Sequence, residues 1–191
     1  MPSATPFDAK IHACAKCKLR KTCRLPVPGD GNFSASVLFV GEAPGAQEDV
    51  VNKPFVGRSG KLLSKILEGL GMVRERDYYI SNIVKCRPPE NRDPEPEEIA
   101  ACSPWLAQQI RKMKPKVIVT LGRFSFNFLV PDVKISEARG TTYRIKMVAG
   151  KPLGYEPLVL ACYHPAVALY DPRKRQTIAD DLAKLPKLIE S

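Results

Sequence analysis

Four short apolar runs rich in β-branched residues constrain the fold of this chain most: residues 37–40, 78–84, 117–121 and 158–162. Their apolar character is nearly continuous and does not alternate, which is typical of strands buried on both faces of a parallel sheet. Segments with helical spacing of apolar residues separate them. Because strand and helix alternate, the sequence predicts an α/β fold, a three-layer α/β/α sandwich around a small parallel sheet.

The boundaries of the predicted helices are clearer for some segments than for others. Residues 59–70 predict a helix that stops at Gly71. Residues 99–113 share one apolar face, but Pro104 indicates either a kink or a helix start with Ser103 as N-cap. Further along, the patterns predict a short helix (122–129), an irregular hairpin strand (142–148) and a closing helix (180–189).

The length of 191 residues suits one domain, predicted over residues 1–191. In parallel sheets ligands bind beyond the carboxyl ends of the strands. The loops 41–60, 85–96 and 163–175 are therefore where we expect the functional residues.

The balance of charge favours a polyanionic partner. Lysine and arginine number 30 against 20 acidic residues, which gives a net charge of +10. Such a field attracts nucleic acid, although an even spread of charge for solubility would give the same total. No apolar run approaches the roughly 20 residues that span a bilayer, and the first ten residues lack a signal-peptide pattern. We therefore expect no membrane partner and a cytoplasmic location.

Six cysteines without a secretory signal indicate a metal site or reactive thiols instead of a disulfide framework. Cys14 and Cys17 form a CxxC pair, and Cys86 and Cys102 could complete a four-thiolate site, with Cys23 competing for the fourth place. Cys162 lies in a predicted buried strand, where cysteine usually packs as a small apolar side chain. Zinc and an iron–sulfur cluster fit this spacing equally well, and six unrelated thiols are the alternative. Either metal would be structural and would tie the N-terminal segment to the loop after the second strand.

Polar residues follow three of the predicted strands. Glu42 lies in GEAPG, where it would project into the crevice, and PFVGRSG with Phe55 follows before the next helix. Asn82 is the second residue of SNIVKCRPPENR, and its amide has the donors and the acceptor that match a pyrimidine edge. His164 in YHPA is suited to catalysis or anion stabilisation. Each of them also has an ordinary structural alternative: a solvated carboxylate, a core aromatic, a bonded amide and a core histidine.

These motifs, in this order and behind the CxxC pair, resemble the family 4 uracil-DNA glycosylases, the iron–sulfur branch of their superfamily. The resemblance extends from Cys14 to about Arg175. It implies an α/β/α sandwich with a central four-stranded parallel sheet. It also implies a [4Fe–4S] cluster, and the family's ligand pattern matches Cys14, Cys17, Cys86 and Cys102 and leaves Cys23 out.

The resemblance also implies roles for individual residues. Phe55 would stack on the flipped uracil, Asn82 would recognise its Watson–Crick edge, and His164 would lie near O2. Glu42 would position water and stabilise the sugar. Gly41 and Ala43, from the same motif as Glu42, would contact the substrate. Glu48 and Asn91 match pocket positions and are predicted to be catalytic residues.

The chain departs from the superfamily's patterns in two places. Ala43 and Gly45 stand where the best-known branch has aspartate and tyrosine, so that branch's water activation and thymine block do not transfer. After the HPA motif, Leu169 or Tyr170 would fill the gap left by the flipped base, and Arg173, Lys174 and Arg175 would contact phosphates. A sister branch that crosslinks to DNA through a histidine is disfavoured, because residues 87–96 contain none.

The sequence therefore predicts a monofunctional DNA-repair glycosylase that hydrolyses deoxyuridine and leaves an abasic site. The expected partner is uracil-containing DNA, single- or double-stranded, with a monomeric protein, a sliding clamp as a further partner, and a location at the nucleoid of a prokaryotic cell. One alternative is a non-catalytic nucleic-acid-binding protein with a four-cysteine site. The other is a glycosylase with a broader range of deaminated bases, against which Glu42 argues.

Overall fold

The computed structural model describes residues 5–190, so the predicted domain extends beyond it at both ends. The strands are β1 Asp30–Gly31, β2 Val37–Gly41, β3 Tyr78–Asn82, β4 Val117–Leu121, β5 Thr142–Arg144, β6 Met147–Val148, β7 Lys151–Pro152 and β8 Leu158–Cys162. The helices are α1 Asp8–His12, α2 Ala46–Val51, α3 Arg58–Gly69, α4 Arg74–Asp77, α5 Pro96–Met113, α6 Arg123–Leu129, α7 Ile135–Ala138, α8 Val167–Tyr170, α9 Arg173–Leu182 and α10 Leu185–Glu190. Two 3-10 turns cover Lys18–Lys21 and Pro89–Asn91. None of the helices within this range is both long and apolar enough to span a bilayer.

The four predicted strands form the centre of the sheet and are parallel, in the order β3-β2-β4-β8. The sheet has six strands, however, because β1 pairs antiparallel with β3 and β5 pairs antiparallel with β8. These added strands are two and three residues long. Short strands at both edges leave little backbone free for pairing with another chain.

Alternate residues of each central strand enter two separate cores, one on each face of the sheet. Leu38 and Val40 pack with α1, α5 and α6, whereas Val37 and Phe39 pack with α3, α9 and α10. This alternation follows from the period of two in a strand. The predicted three-layer α/β/α arrangement is confirmed.

Several predicted boundaries were wrong. The second strand ends at Asn82 instead of residue 84, although Ile83 N–H and Val84 N–H still bond the carbonyl oxygens of Gly41 and Glu42 at the end of β2. The predicted hairpin strand over 142–148 is split into β5 and β6, and the closing helix is two helices, α9 and α10.

The helix predicted near residues 99–113 begins earlier, at Pro96, and continues through Pro104. Its start is stabilised by Glu98, whose carboxylate accepts the backbone N–H of Glu95 at 2.9 Å and both guanidinium nitrogens of Arg92 at 2.8 and 2.7 Å. A proline at the first helical position and an acidic residue in the first turn are both favourable there. Cys102 therefore lies inside the helix instead of near its start.

The end of α3 is closed by a Schellman motif. Gly71 adopts φ +75° and donates to the Glu68 carbonyl oxygen at 2.9 Å, and Met72 N–H reaches the Leu67 carbonyl oxygen, also at 2.9 Å. The predicted stop at Gly71 is confirmed, because a residue with a side chain disfavours this left-handed conformation.

Two glycines at this helix end provide a matched test. A Cβ would meet nothing within 4 Å at either Gly69, which is helical, or Gly71, so only backbone preference differs. We expect Gly71→Ala to lower the free energy of unfolding by about 1 kcal/mol and Gly69→Ala to raise it by about 0.5–1 kcal/mol. Urea denaturation measures both changes, provided that the dependence of the unfolding free energy on urea concentration is unchanged. Changes of the same sign in the two variants would contradict the assigned motif.

Candidate functional site

The carboxyl ends of the central strands meet at one edge of the sheet and surround a cavity. Gly41 at the end of β2 lies opposite Asn82 at the end of β3, and His164 follows β8 by two residues. The cavity holds about 390 Å³ of empty space. Its walls are formed by Ala43, Gly45, Glu48, Phe55, Ser59, Asn82 and His164. Five predicted pocket residues are thus brought together: Ala43, Glu48, Phe55, Asn82 and His164.

Asn82 presents an unused hydrogen-bond acceptor to this cavity. The residue is 2 % exposed, and its Oδ1 has no hydrogen-bond partner among the described residues. Space for this oxygen depends on Gly41, where a Cβ would lie 2.4 Å from Oδ1 and 2.6 Å from Cζ of Phe55. Because an unmet buried acceptor is costly, its presence at the wall of a cavity indicates a ligand that donates a hydrogen bond.

Phe55 is held against the cavity in an unfavourable backbone conformation, with φ +54°. Arg74 donates to the carbonyl oxygens of Pro54 and Phe55 at 3.0 and 3.1 Å. At Gly60 a Cβ would come within 2.1 Å of the Phe55 carbonyl oxygen, so the first turn of α3 packs directly on this backbone. A bulky residue keeps a positive φ only where its surroundings determine it, as these contacts do.

The Glu48 carboxylate joins the two loops that form the cavity. Its Oε1 accepts the N–H groups of Val56 and Gly57 at 2.9 and 2.8 Å, and its Oε2 accepts that of Gly45 at 3.2 Å. The side chain is 9 % exposed. Glu48 thus lines the cavity as predicted, and its oxygens join the backbone at Gly45 to the backbone that directly follows Phe55.

His164 is a neutral donor at this site. Burial lowers the pKa of its imidazole to about 4, and the charge of Glu48 opposes this shift only weakly. Its Nδ1 accepts the Ala166 N–H at 3.1 Å, so the single ring proton lies on Nε2. The ring centroid is 5.8 Å from that of Phe55, with 36° between the planes. Gly122, at φ +97°, allows the end of β4 to approach, since a Cβ there would lie 3.1 Å from the His164 Cβ.

Glu42 follows β2 at the same sheet edge but does not form part of the cavity wall. Burial, together with the charge of Asp93, raises the pKa of its carboxyl to about 7, and Arg123 opposes this shift. A carboxyl group with this pKa can exchange a proton near neutral pH. Its catalytic role stays a prediction from the sequence.

The other predicted site residues lie away from the cavity wall. Asn91 is exposed in a 3-10 turn, and its Oδ1 accepts from Arg87 Nε at 2.8 Å. Leu169 and Tyr170 lie in α8, three and four residues past the strand-end loop, and Tyr170 is 91 % exposed. Arg173 bonds the Asp171 carboxylate. The exposed Arg175 lies further along α9. None of these roles is tested by the cavity geometry.

The four cysteines predicted as metal ligands line a second cavity, with about 290 Å³ of empty space, on the α5 face of the sheet. Two nitrogens donate to sulfurs here: Trp105 Nε1 to Cys14 Sγ at 3.3 Å and Lys85 N to Cys102 Sγ at 3.2 Å. Cys23 lies behind this wall, with its sulfur 2.8 Å from that of Cys86. The sixth, Cys162, is fully buried in the opposite core.

Lys85, which the sequence does not single out, lines the cysteine cavity and contacts the main chain of Asn82. Its side chain is 1 % exposed, and Nζ donates to Ser81 Oγ, the Asn82 carbonyl oxygen and Gln109 Oε1 at 2.6, 2.7 and 2.8 Å. Burial lowers the pKa of Lys85 to about 7, while three acceptors favour its ammonium form. The residue lies inside a quoted motif, but its type alone predicts exposure.

Comparison with known proteins agrees with this geometry. A model of the uracil DNA glycosylase superfamily matches residues 28–185. Three curated relatives are named type-4 uracil-DNA glycosylase. That of Saccharolobus solfataricus is 45 % identical, with 95 % of this chain and 84 % of the relative covered. That of Sulfurisphaera tokodaii is 43 % identical (98 % and 86 % covered), and that of Archaeoglobus fulgidus is 42 % identical (98 % and 94 % covered). The chain therefore belongs to the uracil DNA glycosylase superfamily and, within it, to the type-4 uracil-DNA glycosylases.

Proposed function

We propose that this protein releases uracil from DNA by hydrolysing its N-glycosidic bond, in the repair of deaminated cytosine. The observation that carries the proposal is the buried, unpartnered Asn82 Oδ1 in the wall of a cavity that is also lined by an aromatic ring and a neutral imidazole. The relatives carry the name of the same activity.

Recognition of uracil follows from the hydrogen-bonding groups in the cavity. Uracil N3–H donates to Asn82 Oδ1, and the amide nitrogen of Asn82 donates to O4. Cytosine presents an acceptor at N3 and a donor at C4, so the same amide orientation would leave both pairs unmatched. Phe55 offers its ring to the face of the base, and a base must leave the duplex to reach it.

The protein has to stabilise opposite charges on the two sides of the bond that breaks. The bond between C1′ and N1 breaks with its electron pair leaving on uracil, so the sugar becomes positive and the base negative. Water forms the new bond to C1′ and gives one proton to the Glu42 carboxylate, and the uracil anion takes a proton from solvent. His164 donates its Nε2–H to O2 as the negative charge develops there. Because the products are an abasic site and free uracil, no lyase step is involved.

Contacts with the rest of the DNA are proposed for the surface after β8. Tyr170 is the most exposed large apolar side chain among the described residues, which suits insertion into the stack where the base has left. Arg175 and the net charge of +10 favour binding to phosphates. The protein would act as a monomer on single- or double-stranded DNA.

The second cavity is proposed to hold a [4Fe–4S] cluster through Cys14, Cys17, Cys86 and Cys102, which would supply a structural crosslink. Within residues 5–190, no three His, Cys, Asp or Glu side chains converge closely enough to bind one metal ion. A cluster needs no such convergence, since each thiolate binds a different iron, and it therefore suits four sulfurs around a cavity better than zinc does. The two N–H donors to sulfur favour the deprotonated ligand.

The activity itself is tested with Asn82→Ala. We expect the unaltered protein to make an oligonucleotide alkali-labile at its one uracil, and the variant to act about 10²–10³-fold more slowly because the base loses its edge contacts. Gln108→Ala, which removes an exposed amide on the outside of α5, is the matched control. Binding without alkali-labile sites would favour the non-catalytic alternative.

The pH dependence of excision tests Glu42. The carboxylate that accepts the proton of water forms as the pH rises through about 7, so Glu42 should make the single-turnover rate rise across this range. His164, with its pKa near 4, contributes no step there, whereas Lys85, with a pKa of about 7, loses its charge over the same range and would oppose the rise. Glu42→Gln should lower the rate about 10²–10⁴-fold and abolish the rise. If the rise persists in the variant, another group is responsible for it.

The ligand set is tested by serine variants of three buried cysteines. Cys102→Ser should lose iron and the brown visible absorbance, whereas Cys162→Ser, which changes a cysteine of the opposite core, should keep both. Cys23→Ser should also keep them. Iron loss from Cys23→Ser together with retention in Cys102→Ser would move the fourth ligand to Cys23.

A further inference from the structure

Lys85 is the buried cation next to the main chain of Asn82. All three of its contacts are acceptors: the Asn82 carbonyl oxygen, Gln109 Oε1 and Ser81 Oγ. The Ser81 hydroxyl uses its own proton toward the Pro28 carbonyl oxygen at 2.7 Å, so it accepts from the lysine. Three acceptors require three N–H groups, which only the ammonium form provides.

The ammonium forms no ion pair with a carboxylate among residues 5–190, although the Cys102 thiolate, whose sulfur is 3.2 Å from the Lys85 backbone nitrogen, partly offsets its charge. Arg74, which contacts the Phe55 loop, differs because it pairs with the Asp30 carboxylate at 3.1 Å. The Nζ of Lys85 binds only neutral oxygens, in a buried environment where a charge acts strongly on its surroundings. Its field therefore acts on the groups around it, and the Asn82 peptide is in direct contact.

Among the described residues, none that lines the cavity carries a positive charge for the proposed reaction. The walls contain the neutral His164 and Asn82 and the acidic Glu48, although the departing uracil carries a full negative charge. Preorganised positive charge near a developing anion lowers the barrier because nothing needs to reorient during the reaction. Lys85 lies one hydrogen bond behind the residue that faces the base.

We propose that Lys85 is a positioning residue that holds Asn82 in place and supplies, through the Asn82 peptide, the positive charge that balances the departing uracil anion. This inference rests on the proposed function of the same cavity. It assigns to the buried network of Lys85, Ser81 and Gln109 a part in leaving-group stabilisation, in addition to its part in folding.

The test compares uracil with 5-fluorouracil as the leaving base. Fluorine withdraws electrons and stabilises the base anion, so 5-fluorouracil depends less on charge supplied by the protein. Lys85→Gln removes the charge and keeps two donors for the buried acceptors. We expect it to slow single-turnover release of uracil about tenfold or more and that of 5-fluorouracil less. The ratio of the two rates should rise severalfold.

Two variants of Gln109 complete the test without touching the lysine. Gln109→Glu places a carboxylate beside Nζ, offsets its charge and should raise the same ratio. Gln109→Met loses the same amide contact with the Pro28 carbonyl oxygen but adds no charge, so the ratio should stay within about twofold of the unaltered protein. This pair also decides the question if Lys85→Gln does not fold, which circular dichroism and iron content will show.

The outcomes distinguish failure of the proposed function from failure of the role of Lys85. No release of uracil by the unaltered protein would overturn the proposed function itself. Release by the unaltered protein, with an unchanged ratio in Lys85→Gln and Gln109→Glu, would overturn the role of Lys85 alone. Iron loss from Lys85→Gln with an unchanged ratio would have the same consequence and would assign the ammonium to the cysteine cavity.

Discussion

The parallel pairing of four strands is the constraint on which the rest of this structure depends. Parallel strands end at a common edge, so residues far apart in sequence are brought together there. The register of Gly41 opposite Asn82 makes this specific. A shift by one residue would turn the Asn82 side chain away from the cavity and into one of the two cores.

Two charged side chains, Glu48 and Arg74, hold the cavity in shape by bonding the backbone of its loops. Glu48 accepts three N–H groups from two loops, and Arg74 donates to two carbonyl oxygens on the other side of Phe55. Charge-assisted hydrogen bonds of this kind are stronger than neutral ones. The two residues therefore act on the position of the aromatic ring without contacting its face.

Much of this arrangement could be predicted from the sequence, and what could not has physical causes. The central strands and the end of α3 follow from local pattern, but β1 comprises only Asp30 and Gly31 and exists because β3 pairs with it. Pro104 was weighed as a helix breaker although α5 accommodates it, since packing against the sheet outweighs one lost hydrogen bond.

The site divides in the same way. Asn82 and His164 were predicted because each lies near the carboxyl end of a strand at the same edge of the sheet. The structure places both at the cavity. Asn91 came from the family pattern and lies in an exposed turn. Lys85 was missed because its burial depends on the fold, which places its side chain in the interior and brings one of its three acceptors, Gln109 Oε1, from a distant helix.

The strained backbone at Phe55 has a consequence for how the protein would search DNA. Its ring is in place before any base arrives, so capture of a base requires no ordering of a loop. Each base that leaves the stack would enter a preformed cavity and would either bind there or return to the stack without a change in the protein. The time spent at each position is then governed by the deformation of the DNA, and undamaged positions are passed without a closing and reopening cycle of the protein.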